Sequence, residues 1–205
     1  YFLNDIKGVV VGDFNTIYTT DDGGYNWKKL SFEVFDAYSY NTVYYYNLTK
    51  FYVGGDNGVF IEFNFDGSEW IAYKRKIKKT LTPGDDYNLV EDINDIKYRK
   101  YTTWGLTYSH SGGTGISSIK EMLFIATNND NLILYNMNSF VPEFSFMYLT
   151  WTQSHSDISN ILISGHTIYL GGDNVYKSTI DDFTMVGTSS NVLVSTTGST
   201  VMFNG

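Results

Sequence analysis

The chain has 205 residues and a formal net charge of −8, enough length for one sizeable core and too acidic for a general nucleic-acid binder, which needs a basic face against phosphate. It has no cysteine, so disulfides and thiolate zinc sites are excluded, and no apolar run approaches the ~18 residues of a transmembrane helix. Aromatics make up 18 %, with 18 Tyr and 14 Phe, while Pro occurs only at Pro83 and Pro142, so nearly every segment can enter a sheet ladder.

In chain order, the first strand signals are Val9-Val10-Val11-Gly12 and Thr16–Thr20, separated by a short Asp-Phe-Asn turn. A second group follows at Val43–Tyr46, Phe51–Gly54 and Val59–Phe63. Its Phe51-Tyr52-Val53-Gly54-Gly55-Asp56-Asn57 returns as Ile168-Tyr169-Leu170-Gly171-Gly172-Asp173-Asn174. Weaker copies lie at Leu123–Asn129 running into Leu132–Leu134, and at Asn191–Val194 running to Val201–Gly205. Strands are expected near 9–12, 16–20, 43–46, 51–54, 59–63, 122–126, 132–135, 161–163, 168–170, 175–178 and 192–194.

Equivalent points at Gly12, Gly55, Thr127, Gly172 and Gly205 are separated by 43, 72, 45 and 33 residues. A period near 40–45 with about four strands per unit is that of a propeller blade. The 72-residue step reads as one blade carrying an insertion of about 28 residues, placed over 74–118. Strands with little alternation, such as Tyr44-Tyr45-Tyr46, fit sheets covered on both faces by their neighbours. The Gly-Gly-Asp-Asn segments read as hairpin turns. The expected fold is therefore all-β, a β-propeller of four-stranded antiparallel blades with four to five registers visible. Residues 1–205 form a single propeller or propeller fragment. Tyr1 stands where an initiating Met would be and the fifth copy breaks off mid-hairpin, so a longer chain with a larger ring is favoured over a small closed one.

After the second strand comes Thr20-Asp21-Asp22-Gly23-Gly24-Tyr25-Asn26-Trp27. Thr20, Asp22, Gly24 and Trp27 match the Asp-box, and the chain resembles the BNR-repeat propellers that carry it between their outer two strands. The resemblance implies a structural role. Asp22 accepts backbone N–H bonds in the turn, Gly24 takes the special φ, and Trp27 opens the last strand with a large packing contact. A second copy keeps Gly67 and Trp70, with Asp66 as a partial substitute for the box carboxylate. The copies near 136 and 178 are degenerate. Relatives with this repeat include sialidases, photosystem assembly factors and phage tail proteins, so the repeat implies a fold and leaves function open.

Catalytic constellations are absent from the pattern. A sialidase-like site needs three arginines to hold a carboxylate, and the chain has Arg75 and Arg99 only, in a stretch over 74–100 read as irregular. His110, His155 and His166 are not at metal-ligand spacing, and the Ser-His-Ser contexts lack a nucleophile elbow. Turn carboxylates such as Asp21-Asp22 and Asp181-Asp182 read as solvated. Gly112–Gly115 lacks the Lys-Ser/Thr of a phosphate loop, and Asn47-Leu48-Thr49 is a single glycosylation sequon in an Asn-rich chain. No catalytic residue, cofactor or metal is expected.

The remaining individual feature is the basic run Lys74, Arg75, Lys76, Lys78 and Lys79, read with Trp104 as an interaction loop against the alternative of a solvated charged loop. Two functions stay open. The first is a non-enzymatic structural or protein-interaction module of a larger assembly, a phage tail or other virion component, with protein subunits as partners. The residue usage of an AT-rich genome, with Arg occurring only twice, points the same way. The second is a carbohydrate-binding or glycoside-hydrolase propeller whose remaining residues lie outside the chain, with Trp104, Trp151 or Tyr rings stacking on glycan. Neither nucleic acid nor membrane insertion is expected.

Overall fold

The computed structural model describes residues 1–32, 38–82, 85–109, 112–128, 131–137, 143–148, 157–165, 167–172 and 175–179. Four antiparallel sheets follow one another along the chain. The first is β1 (Gly8–Gly12), β2 (Thr16–Thr20) and β3 (Lys28–Lys29). The second is β4 (Tyr40–Asn47), β5 (Lys50–Gly55), β6 (Phe60–Phe65) and β7 (Trp70–Arg75). A small hairpin, β8 (Lys78–Thr82) with β9 (Asp85–Asn88), precedes the third sheet. That sheet is β10 (Ile93–Ser109), β11 (Gly112–Thr127), β12 (Asn131–Asn136) and β13 (Glu143–Tyr148). The fourth is β14 (Ile158–Ser164), β15 (Thr167–Gly172) and β16 (Val175–Thr179). The only helix among the described residues is the single 3₁₀ turn Asp56–Gly58.

Consecutive sheets pack face on face, and the inner strands of the second and third sheets each feed two cores because successive side chains point to opposite faces. Val9 and Ile17 of the first sheet meet Phe51, Val53, Ile61 and Phe63 of the second. Tyr52 and Phe60, on the other face of the same strands, meet Leu123, Ile125, Ile133 and Tyr135 of the third. Phe124, Leu132 and Leu134 in turn meet Ile161, Ile168 and Leu170 of the fourth. This is why the central strands read without alternation.

Every described strand expected from the sequence is present, and 192–194 lies outside the described residues. The strands expected from the sequence do not include β3, which is two residues long, or β7 and β13, which lie beyond the recurring segments on which the strands were placed. The sequence reading also took 74–100 as irregular. That stretch is regular β structure: the end of β7, the β8–β9 hairpin and the start of β10. The extra length of the long step lies in two places, the β8–β9 hairpin and an extension of β10 and β11. The two strands stay paired from Ile93↔Thr127 out to Ser109↔Gly112, whereas β12 pairs only with Met122–Ala126. Residues 101–109 and 112–120 therefore form a two-stranded arm beyond the sheet.

The turns between strands also tie sheets together. Asn15, at φ 56°, donates its N–H to the Tyr38 carbonyl at 2.9 Å, and its Oδ1 accepts the Tyr38 N–H at 3.1 Å. Asn57, at φ 54°, donates its N–H to Asp92 Oδ1 at 2.9 Å. Each turn thus bonds to the segment that leads into the next sheet. Asp95, 8 % exposed, accepts the Ile161 N–H at 2.8 Å and joins the third sheet to the fourth.

Gly54 tests this close packing. A Cβ there would lie 2.4 Å from Ile93 Cγ2 on the next sheet, while one at Gly12 meets nothing within 4 Å. Gly54→Ala is expected to cost about 1–3 kcal/mol by overpacking, and Gly12→Ala to stay within about 0.5 kcal/mol of wild type. Urea unfolding of both variants measures the contrast, and equal midpoints would show that the sheets are not held this closely.

Candidate functional site

The turn from β2 to β3 is built by its own side chains. Thr20 Oγ1 donates to Asp22 Oδ1 at 2.8 Å and accepts the Gly24 N–H at 2.9 Å. Asp22 Oδ1 accepts the Asn26 N–H at 2.9 Å, and Oδ2 accepts Asn26 Nδ2 at 2.7 Å. Gly23 and Gly24 take φ of 77° and 93°, where a side chain is strained. The bonds to Asn26, and then to Thr20, hold the Asp22 carboxyl below its usual range. The β6–β7 turn repeats the idea with different residues. Gly67 has φ 106°, and Asp66 Oδ1 accepts the N–H groups of Ser68 at 2.8 Å and Glu69 at 2.9 Å.

The two tryptophans differ. Trp70 packs inward, with its ring 4.7 Å from Phe51 and 5.3 Å from Phe65. Trp27, expected as a large packing contact, is 39 % exposed and meets Phe2 edge-on at 6.0 Å. The reason is its position on the outward face of the first sheet, which has no neighbouring sheet among the described residues. Phe2, Val10, Tyr18 and Trp27 line a shallow, open depression on that face. Phe2 and Val10 are 49 % and 46 % exposed. The two rings lie over glycines. A Cβ on Gly8 would be 2.8 Å from the Phe2 ring, and one on Gly24 would be 3.5 Å from Phe2 and 3.6 Å from Trp27.

The basic run does not form a loop. Lys74 and Arg75 end β7, Lys78 and Lys79 lie in β8, and Lys76 between them is exposed. Arg75 Nη2 and Nε bond Glu62 Oε2 at 3.0 and 3.2 Å, and Lys50 Nζ meets Glu62 Oε1 at 2.9 Å. Glu62 is 4 % exposed. Burial pushes its carboxyl up, but the bonds from Asn64 and Lys50 and the charges of Lys50 and Arg75 outweigh this and hold it below the usual range. Lys74 Nζ bonds Tyr38 Oη and sits 4.6 Å from the centre of that ring. Trp104 lies on the arm, opposite Ser117.

Along β4 and β10, tyrosines contact one another. Tyr1 meets Tyr44 at 5.2 Å, Tyr44 stacks on Tyr98 at 6.2 Å, and Tyr98 meets Tyr46 at 4.9 Å. Tyr46 Oη donates to Glu121 Oε2 at 3.0 Å, and Lys100 pairs with Glu121 at 2.9 Å. Those rings are packed on each other rather than offered singly to a sugar. Arg75 and Arg99 sit on strands of different sheets, and Arg75 is committed to Glu62. His110, His155, His166 and Trp151 lie outside the described residues. Among the described residues, no group of three or more His, Asp or Glu side chains could hold a metal ion. No helix among them is long and apolar enough to cross a membrane.

No family model matches the chain, and no curated protein matches it. Among solved structures, one match is YCF48 bound to a D1 peptide, at 14 % identity and a TM-score of 0.37. The match covers 86 % of this chain, which spans 63 % of the length of that one.

Asp22 has a folded-state pKa below its unfolded value. Its contribution to stability is therefore complete above the ordinary value of 3.8 and is lost as pH falls through the folded value. Asp22→Asn is expected to lower the melting temperature at pH 7 and to shrink the gap to wild type as pH drops below 3.8. Melting curves across pH 2–7 measure it, and a gap that persists unchanged in acid would show that the carboxylate is not what holds the turn. Trp27→Ala, with a partly exposed ring, is expected to cost roughly 1–2 kcal/mol rather than the ~3–5 of a buried tryptophan, as chemical denaturation would show.

Proposed function

We propose that the chain is part of a β-propeller and serves as a non-enzymatic structural or protein-interaction module of a larger assembly, a phage tail or virion particle being one such setting. The period of 40–45 residues, the successive antiparallel sheets and their face-on-face packing support the propeller reading. The Thr20–Trp27 turn supports its Asp-box form, since threonine and aspartate organise the backbone there.

One observation carries the interaction role: the aromatic face of the first sheet, which no other described sheet covers. Phe2, Val10, Tyr18 and Trp27 are adjacent, and Phe2, Val10 and Trp27 are each more than a third exposed. Large contiguous apolar patches on soluble proteins mark sites of association, and Trp and Tyr are the side chains that most often dominate such contacts. The described carboxylates with lowered pKa serve the turns and inter-strand pairs above, which favours binding over acid–base chemistry.

Hydroxyl-radical footprinting checks this reading in the native source. Oxidation of Phe2, Tyr18 and Trp27 is expected to be suppressed in the native assembly and restored when the assembly is dissociated. Equal oxidation in both would remove the support for an interaction face. Glycan-array binding that survives Val10→Asp would instead favour the carbohydrate-binding alternative.

A further inference from the structure

Half-buried cations in this molecule have partners, with one exception. Among the described residues, six basic side chains are half-buried: Lys7, Lys50, Lys74, Arg75, Lys97 and Arg99. Lys7 pairs with Asp21, Lys50 and Arg75 with Glu62, and Lys97 with Asp95, while Lys74 bonds Tyr38 Oη. Arg99 stands apart. Its Nε is buried and donates to no acceptor. Its Nη groups are not enclosed and also have no partner.

The surroundings of Arg99 explain why it is unpaired. It stands on β10 opposite Met122, which packs with Ile161, Ile168 and Leu170 of the fourth sheet. Ile96 and Tyr98, at the alternate positions, pack toward the second sheet. Asp95 is the one acid of β10, and its oxygens are committed. Oδ1 accepts the Ile96 N–H at 2.9 Å and Lys97 Nζ at 2.7 Å, and Oδ2 accepts the Ile161 N–H at 2.8 Å. β14 and β15, packed against this face, contain no Asp or Glu. Glu121 is turned the other way, where it bonds Tyr46 of the second sheet and Lys100. Lys97 and Arg99 thus leave one positive charge uncompensated beside Asp95, on a chain whose formal net charge is −8.

We propose that Arg99 is a binding residue for an aspartate or glutamate side chain of a partner protein. The proposal rests on the interaction reading above and adds a second contact, on the third sheet, with its chemistry named. A guanidinium presents parallel N–H donors that match the two oxygens of a carboxylate. An incoming carboxylate meets the Nη groups first, because these are not enclosed. Turning the guanidinium toward it takes Nε out of the apolar junction between the third and fourth sheets. A buried donor without an acceptor carries a desolvation penalty. The free chain bears that penalty at Arg99 and binding removes it, so the bound state is favoured by more than the new bonds alone. Arginine is also among the side chains that most often dominate protein–protein contacts.

Phenylglyoxal, which modifies accessible guanidinium groups, gives a clean readout because the chain has two arginines. In the free chain Arg99 is expected to react faster than Arg75, which is bound to Glu62. In the native assembly the reactivity of Arg99 is expected to be lost and that of Arg75 unchanged. Carbodiimide coupling then identifies the chemistry. In assemblies carrying Arg99→Lys, the introduced amine is expected to form an amide with the partner carboxylate, whose hydroxyl oxygen leaves on the carbodiimide as the urea. Mass spectrometry of the linked peptides is expected to place the bond on an Asp or Glu of the partner. Arg99→Met is expected to give no link, and as a free chain to melt no lower than wild type, because it removes the unpaired donor and keeps an unbranched stem. Equal reactivity of Arg99 in the free chain and in the assembly overturns the proposal, leaving a guanidinium satisfied by water only. Protection of Arg99 without any carbodiimide link in Arg99→Lys also overturns it, as does a lower melting temperature for Arg99→Met, which would show that Arg99 serves a contact within the chain. If Arg99 reacts equally in both states while footprinting shows Phe2, Tyr18 and Trp27 protected in the assembly, the interaction reading stands and only this inference fails.

Discussion

A sheet whose two faces are both apolar must be covered twice, and that requirement organises the molecule. The second sheet shows it most directly: Phe51 and Phe63 point to one neighbour while Tyr52 and Phe60, on the same two strands, point to the other. Neither neighbour alone suffices. Removing the first sheet would expose Phe51 and Phe63, and removing the third would expose Tyr52 and Phe60, each aromatic side chain being a burden of about 1.5–3 kcal/mol when returned to water. Stability is shared between adjacent sheets, as in repeat architectures where each unit depends on its neighbours.

Apolar packing of flat faces sets little register by itself, and polar contacts supply it. Asn15 and Asn57 adopt left-handed backbone conformations in turns and use the N–H groups this exposes to bond the segment leading into the next sheet. Asp95 does the same between the third and fourth sheets through the Ile161 N–H. Within the second sheet, Glu62 joins three neighbouring strands by meeting Lys50 of β5 and Arg75 of β7 from its place on β6. A buried carboxylate is costly without partners, and here each oxygen is bonded, so the group orients the strands around it.

The same logic bears on the proposed interaction role. Where a face has a neighbour among the described sheets, aromatics such as Phe51, Tyr52, Phe60 and Phe63 are packed. Where it has none among the described residues, they are exposed, and the Phe2–Trp27 pair lies on such a face. The Thr20–Trp27 turn is linked to it by position: the hydrogen bonds of Asp22 fix the loop that carries the Trp27 ring to the surface. A turn that looks purely structural therefore sets the shape of the surface proposed for association.

The sequence alone determined the all-β class, the inner strands and the turns between them. These depend on local chemistry: β-branched and aromatic runs, Gly-Asp-Asn punctuation and a recurrence near 43 residues. It also marked Thr20, Asp22 and Gly24, whose partners are within six residues. The outermost strands β3, β7 and β13 were not legible, because β3 is two residues long and β7 and β13 lie beyond the recurring segments that marked the other strands. The basic run was misread as well: Arg75 becomes a strand residue only when Glu62, 13 positions earlier, is placed beside it. Whether Trp27 is packed or exposed could not be read from the motif either. Trp27 and Trp70 follow similar turns, yet Trp70 faces the junction of two sheets and Trp27 faces outward, and only the stacking of sheets along the chain decides which face has a neighbour.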